Sequence, residues 1–136
     1  MRVLVDTNVV LDVLLARQPF VGASAGVFSL VERSRIEGLL CATTVTTIDY
    51  LLKQTLPRPA AHQALRTLLE LFEIAPVNRA VLEEALKSRV ADFEDAVLDQ
   101  AARLAGAEIV VTRNQADFRH ASLKILGPDE FLSGFQ

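Results

Sequence analysis

The stretch "VLVDTNVVLD" (residues 3–12) runs like a buried strand to Val5, stops on Asp6, and resumes beyond Thr7-Asn8 as an apolar helical pattern. A carboxylate at the end of a core strand is costly to bury unless something positive meets it. Asp is also a favoured helix N-cap. Asp6 therefore has two readings at this point, a cap or one wall of a charged site. The choice depends on which other residues reach the same edge.

Working outward, residues 2–5 read as a strand and 8–15 as helical, with a break at Gln18-Pro19 and Gly22. A helix follows over 23–36, with Val27, Leu30 and Val31 on one face. Residues 38–43 read as a second strand, and 46–54 as a helix ending before Pro57 and Pro59. Residues 60–72 carry Leu65, Leu68, Leu69 and Phe72 at helical spacing, and 73–77 form a third short strand. A helix over 79–88 has Asn78 as its N-cap, and another over 93–105 is entered from Asp92 and closed by Gly106. Strands at 108–112 and 123–126 and a short helix at 128–132 complete the chain. Strand–helix alternation predicts an α/β fold: three layers, α/β/α, around a mainly parallel sheet covered on both faces. Without a linker, repeat or low-complexity stretch, residues 1–136 are expected to form a single domain.

Composition sets outer limits. Half the residues are apolar, yet no tract is long enough to span a membrane, and the start turns polar too soon for a secretory signal. The lone Cys41 excludes an internal disulfide and is expected in the core. These features predict a cytoplasmic protein. A net charge of −3 argues against coating nucleic acid by electrostatics alone. It leaves room for nucleic acid handled through bound metal ions.

In a parallel sheet, ligands bind outside the carboxyl ends of the strands. Asp6, Thr7 and Asn8 follow the first strand; Thr43, Thr44, Thr46, Thr47 and then Asp49 follow the second. Arg113, Asn114 and Asp117 follow "EIVVT" (108–112). In "DFEDAVLD" (92–99), Asp92, Asp95 and Asp99 fall at i, i+3 and i+7, on one helix face or its cap. Acids from distant segments thus converge on one edge, and they stay ionised together only around a cation. Oxygen donors with no nearby His or Cys favour Mg²⁺ or Mn²⁺ over zinc. Such ions serve in-line hydrolysis of phosphodiesters. Plainer roles stand beside these: Asp92 as a helix cap, Asp99 and Glu94 as solvated face, Asp12 as solvated or in a local turn contact. The threonine run can express strand propensity alone. His62 and His120 are expected at the surface, and Arg113 and Arg119 either steady phosphates or lie in solvent.

With those residues in view, "VDTNVVLD", "FEDAV", "VVTRNQADF" and the closing "LGPDEFL" together resemble the PIN-domain family, in particular the small ribonuclease toxins of bacterial VapC-type toxin–antitoxin pairs. The resemblance runs in order from Arg2 to about Leu132. It implies a PIN-like α/β/α fold, Mg²⁺- or Mn²⁺-dependent cleavage of RNA, a homodimer and an inhibiting antitoxin. By position it implies Asp6 as the first metal ligand, with Asn8 helping to hold it, and Asp95 as the acid of the late helix. Asn114 and Asp117 are both candidates for the last acidic position, with Thr112 as a hydrogen-bonding neighbour. The family's glutamate after the second strand falls on Thr47. Asp49, two residues on, lies about 200° around a helix of ordinary pitch. Either Asp49 reaches the site through a different turn, or the site has one acid fewer.

Two rival folds fit less well. A receiver domain needs a phospho-accepting Asp after its third strand and a Lys after its last full strand, where this chain has "EIAPVNR" and "VVTRNQ". A haloacid-dehalogenase-type phosphatase needs Asp-x-Asp where this chain has Asp-Thr-Asn. The alternative that remains is a non-catalytic PIN-like domain that binds RNA or a protein partner, supported by Thr47.

Overall fold

The computed structural model describes residues 1–135. Strand β1 (Arg2–Val5) does not alternate: Val3, Leu4 and Val5 are all fully buried, as a strand covered on both faces requires. The chain continues through α1 (Thr7–Leu14), α2 (Val21–Glu32), β2 (Glu37–Cys41), α3 (Ala42–Leu52), α4 (Arg58–Leu71) and β3 (Glu73–Ala75). It closes with α5 (Arg79–Lys87), α6 (Phe93–Leu104), β4 (Ile109–Val111), a 3-10 turn (Gln115–Phe118), β5 (Lys124–Leu126) and α7 (Pro128–Ser133). The strands lie in the order β3-β2-β1-β4-β5, and every pairing among them is parallel.

Successive side chains of each strand feed two separate cores. Val3, Val5, Leu40, Ile109 and Val111 face one layer, where they meet α1 to α4 and α7. Leu4, Leu39, Cys41, Ala75 and Val110 face the other, beneath α5 and α6. Each fully buried aliphatic side chain contributes about 1.5–3 kcal/mol. The result is the expected three-layer α/β/α sandwich. No helix among the described residues is long and apolar enough to cross a membrane.

Two helix boundaries depart from the sequence reading by four residues: α2 ends at Glu32 rather than at residue 36, and α3 starts early. The threonine run belongs to a helix, with α3 starting at Ala42 rather than at residue 46. Threonine's helix penalty is only a few tenths of a kcal/mol, and it is outweighed by burying Thr44, Ile48 and Leu52 at i, i+4 and i+8.

Gly38 in β2 is where the helical layer presses hardest on the sheet. A Cβ there would stand 2.7 Å from the Phe72 ring and 2.7 Å from Val31 Cγ2, both side chains being held in the core. Gly38→Ala is accordingly expected to cost about 1–3 kcal/mol by overpacking, read as a lower urea midpoint at unchanged slope.

The strand order reverses at β1. The chain proceeds outward through β2 and β3, then returns to place β4 on β1's other side. The Asp6 N–H donates to Val111 O at 2.9 Å, which brings the carboxyl ends of β1 and β4 together. Ligands of open α/β sheets bind in the crevice at such a reversal.

Candidate active site

Asp6 lies at that crevice and is only 7% exposed. Its backbone is extended, and it caps α1: Oδ1 accepts the Thr7 N–H at 2.7 Å. Oδ2 accepts the Thr112 hydroxyl at 2.7 Å and a longer bond from Asn8 Nδ2 at 3.4 Å. Thr112, fully buried, has its Oγ1 fixed in turn by the Asn114 N–H at 3.0 Å. Asn8 ties the two chain ends together, because its Oδ1 accepts the Arg113 N–H at 3.3 Å. Cap and site wall are therefore one arrangement rather than alternatives.

The second wall is the start of α6. Asp92 caps this helix, accepting the Asp95 N–H at 3.0 Å. Asp95 sits half-buried in the first turn and borders, with Asp6, an open pocket of about 290 Å³. Asn8, Asn114, Asp92, Glu94 and Arg17 also border this space. Burial first, then the charges of Asp92, Asp6, Asp117 and Glu94, push the Asp95 carboxyl up to about 7. Burial also raises Asp6, opposed by the Thr112 and Thr7 hydrogen bonds and reinforced by Glu94 and Asp117. Asp117, exposed on the 3-10 turn, thus acts on both acids through its charge.

The sequence model of the PIN domain matches residues 2–116, most of the chain. The chain belongs to the PIN-domain family. This PIN domain is 22% identical to Ribonuclease VapC1 of Aquifex aeolicus (strain VF5) over 135 residues, which span 96% of this chain and 92% of that one. Among solved structures it resembles FitAB bound to an IR36 DNA fragment, with a TM-score of 0.74 and 20% identity over 93% of this chain and 94% of the other. It also resembles a toxin–antitoxin complex from Klebsiella pneumoniae, with a TM-score of 0.70 and 20% identity over 93% and 97% of the two chains. Likeness at these identities speaks for the fold.

Several acids of this PIN domain lie elsewhere than the sequence reading put them. Asp12 is fully buried rather than solvated, and Arg113 clamps it with both Nε–Oδ2 (2.5 Å) and Nη2–Oδ1 (3.1 Å). Arg113 is therefore committed to the fold, and its guanidinium also stacks 3.8 Å from the Phe20 ring centre. Asp99 is likewise fully buried, its Oδ2 accepting the Ser122 N–H at 2.9 Å, so it anchors the approach to β5. Asp49 turns away from the site to Lys53 Nζ at 2.7 Å, with His62 Nε2 at 3.7 Å. His62 is thus half-buried rather than a free surface residue, whereas His120 and Arg119 are exposed.

Thr47, half-buried, faces a small cleft whose walls include Leu82, Phe93 and Glu94. Glu94, read as solvated face, borders both this cleft and the acidic pocket. A carboxylate therefore stands on the wall that Thr47 shares. The signal was its place in the first turn of α6, directly before Asp95. Arg17 was also passed over, because it lies in a connecting loop between two helical patterns.

Two expected results arise directly. Thr112→Val removes the 2.7 Å hydrogen bond to Asp6 Oδ2 and leaves that oxygen facing a methyl group. Loss of such a supporting contact typically costs about 10- to 100-fold in metal affinity, measurable by calorimetric titration with Mn²⁺. The second is a pH effect. A carboxyl raised on folding supports stability fully below its ordinary value of 3.8, and that support is lost as pH climbs to about 7. In chelator the Tm should fall across that window, and Asp95→Asn should flatten the profile. Mn²⁺ added above it should restore the Tm of the native protein.

Proposed function

We propose that this PIN domain is a divalent-metal-dependent endoribonuclease, the toxin of a toxin–antitoxin pair. The observation that carries the reading is the pair Asp6 and Asp95. These are two carboxylates from distant parts of the chain, both desolvated, which border one open pocket where the charge of Asp6 also raises Asp95. That pocket holds oxygen donors and no His or Cys. Such a donor set suits Mg²⁺ or Mn²⁺. Among the described residues no three acids, His or Cys crowd closely enough to enclose an ion by themselves. That openness suits a cation that keeps several of its waters, as Mg²⁺ does. Asp6 and Asp95 would hold it, with Asp117, Asn114 and Glu94 completing its surroundings directly or through water.

When bound, a divalent cation supplies Lewis acidity and positive charge for phosphoryl chemistry. The rest falls to the chain. Thr112 and the Thr7 N–H fix both Asp6 oxygens, so this carboxylate does not reorganise during reaction. Both walls stand at helix N-termini, whose dipoles favour their negative charge. Arg17 is the cation at the pocket rim, positioned to meet a phosphate.

Ribonuclease activity is supported by VapC1, and an antitoxin partner by the Klebsiella complex. A homodimer and a cytoplasmic setting belong to the same reading. Exposed Leu82, Leu86 and Phe93 on α5 and α6 leave apolar surface for a second chain.

The test is cleavage of structured and single-stranded RNAs by purified protein in Mn²⁺, Mg²⁺ or EDTA, beside Asp95→Asn. Metal-dependent cutting that the variant loses is expected. Cutting that persists in EDTA, or in the variant, would overturn the assignment. Folded protein that binds RNA without cutting it would favour the binding-only alternative.

A further inference from the structure

A second, larger cleft of about 480 Å³ adjoins the acidic pocket. The same two loops build both. Arg17 borders the pocket while Phe20, three residues on, lines the cleft; Asn114 borders the pocket while Gln115 lines the cleft. The two spaces therefore have walls in the same two loops, within three residues of each other along the chain.

Its walls do not suit a phosphate. Arg113 spends its charge on Asp12 and presents the cleft with a planar guanidinium stacked on the Phe20 ring. Asp129 and Glu130 add two carboxylates to the lining, which repel phosphate. Phe20 lines the cleft and is 39% exposed. Glu130 is held in place: its Oε1 accepts Gln115 Nε2 at 2.7 Å and the Gly127 N–H at 3.1 Å. Its Oε2 takes no hydrogen bond among the described residues.

A planar ring and carboxylate acceptors lining one cleft match an unpaired nucleobase that carries N–H donors on its edge. Guanine fits best, because N1–H and the N2 amino group offer two adjacent donors to the Asp129 and Glu130 carboxylates. We propose that this cleft is a base subsite, seating a guanine next to the phosphate that the acidic pocket receives. The proposal rests on the ribonuclease reading for its place in the substrate, but not for the binding itself. A cationic peptide side chain also offers planar donors. The continuity of the two loops with the acidic pocket favours the nucleotide.

The deciding experiment needs no turnover. Isotope-labelled protein in chelator is titrated with guanosine monophosphate, uridine monophosphate and N-acetylargininamide, and amide shifts are followed by NMR. Guanosine monophosphate should move the Phe20, Arg113, Gln115 and Gly127 amides and bind at least about fivefold more tightly than uridine monophosphate. Phe20→Leu should weaken it, and Glu130→Gln, which keeps an acceptor for Gly127 but turns a donor to the base, should erase the preference. Absent shifts, equal binding of both nucleotides, or preference for the arginine derivative would each overturn the subsite. RNA cleavage is then scored separately. Cutting without nucleotide shifts leaves the nuclease and removes the subsite. Guanine-selective shifts without any cutting support the subsite and remove the nuclease.

Discussion

Asp6→Asn is expected to abolish metal-dependent RNA cleavage, by about a thousandfold or more, while the fold persists. The geometry explains both halves. An asparagine in the same place accepts the Thr7 N–H through Oδ1, and its amide can donate to Thr112 Oγ1 in place of the present bond. What disappears is a buried charge that Glu94 and Asp117 already oppose. In chelator the variant should therefore melt at or above the native temperature, and Mn²⁺ should no longer raise its Tm as it does for the native protein. Retained activity would place the chemistry elsewhere. Lost activity together with a collapsed Tm would mean that Asp6 serves chiefly as the cap of α1.

The largest stability effect belongs to a different pair. Arg113→Ala strips the only ion-pair partner from a fully buried carboxylate, since Asp12 has no other among the described residues. Removing one member of such a pair costs about 3–5 kcal/mol, a fall in Tm on the order of 10 °C. Arg113→Lys should rescue little, because an ammonium cannot reproduce the two-pronged contact or the stacking on Phe20. Asp12→Ala combined with Arg113→Ala should be more stable than Arg113→Ala alone. Denaturant melts of the three variants decide it; additive losses would show that the pair is uncoupled.

Strands and layers were legible because buried parallel strands print themselves as unbroken apolar runs, and because Asn78 and Asp92 mark helix starts. Both cap as expected, Asn78 accepting the Val81 N–H at 3.1 Å. The PIN-domain resemblance followed from ordered motifs, and the family match bears it out. The buried acids were harder. Asp12 and Asp99 meet partners 101 and 23 residues away, and no local pattern announces a long-range pairing. A signal was nevertheless present. Each sits inside an apolar run, "NVVLDVLL" or "AVLDQAA", where a solvated charge would interrupt a core face. Thr47 and Asp49 show the reverse limit. Helical angle argued against Asp49 reaching the site, and the structure turns it to Lys53.

The ladder between β1 and β4 also has a temporal meaning. Asp6 is synthesised more than a hundred positions before both its neighbour across the sheet and its hydroxyl donor. A growing chain therefore carries this acid long before it owns the scaffold that aims it, and non-local closure of this kind comes late in folding. The acidic pocket is assembled only after Thr112 and Asn114 have been made. On the ribonuclease reading proposed above, that ordering keeps chains that have not yet reached Thr112 inert beside the ribosome that is making them.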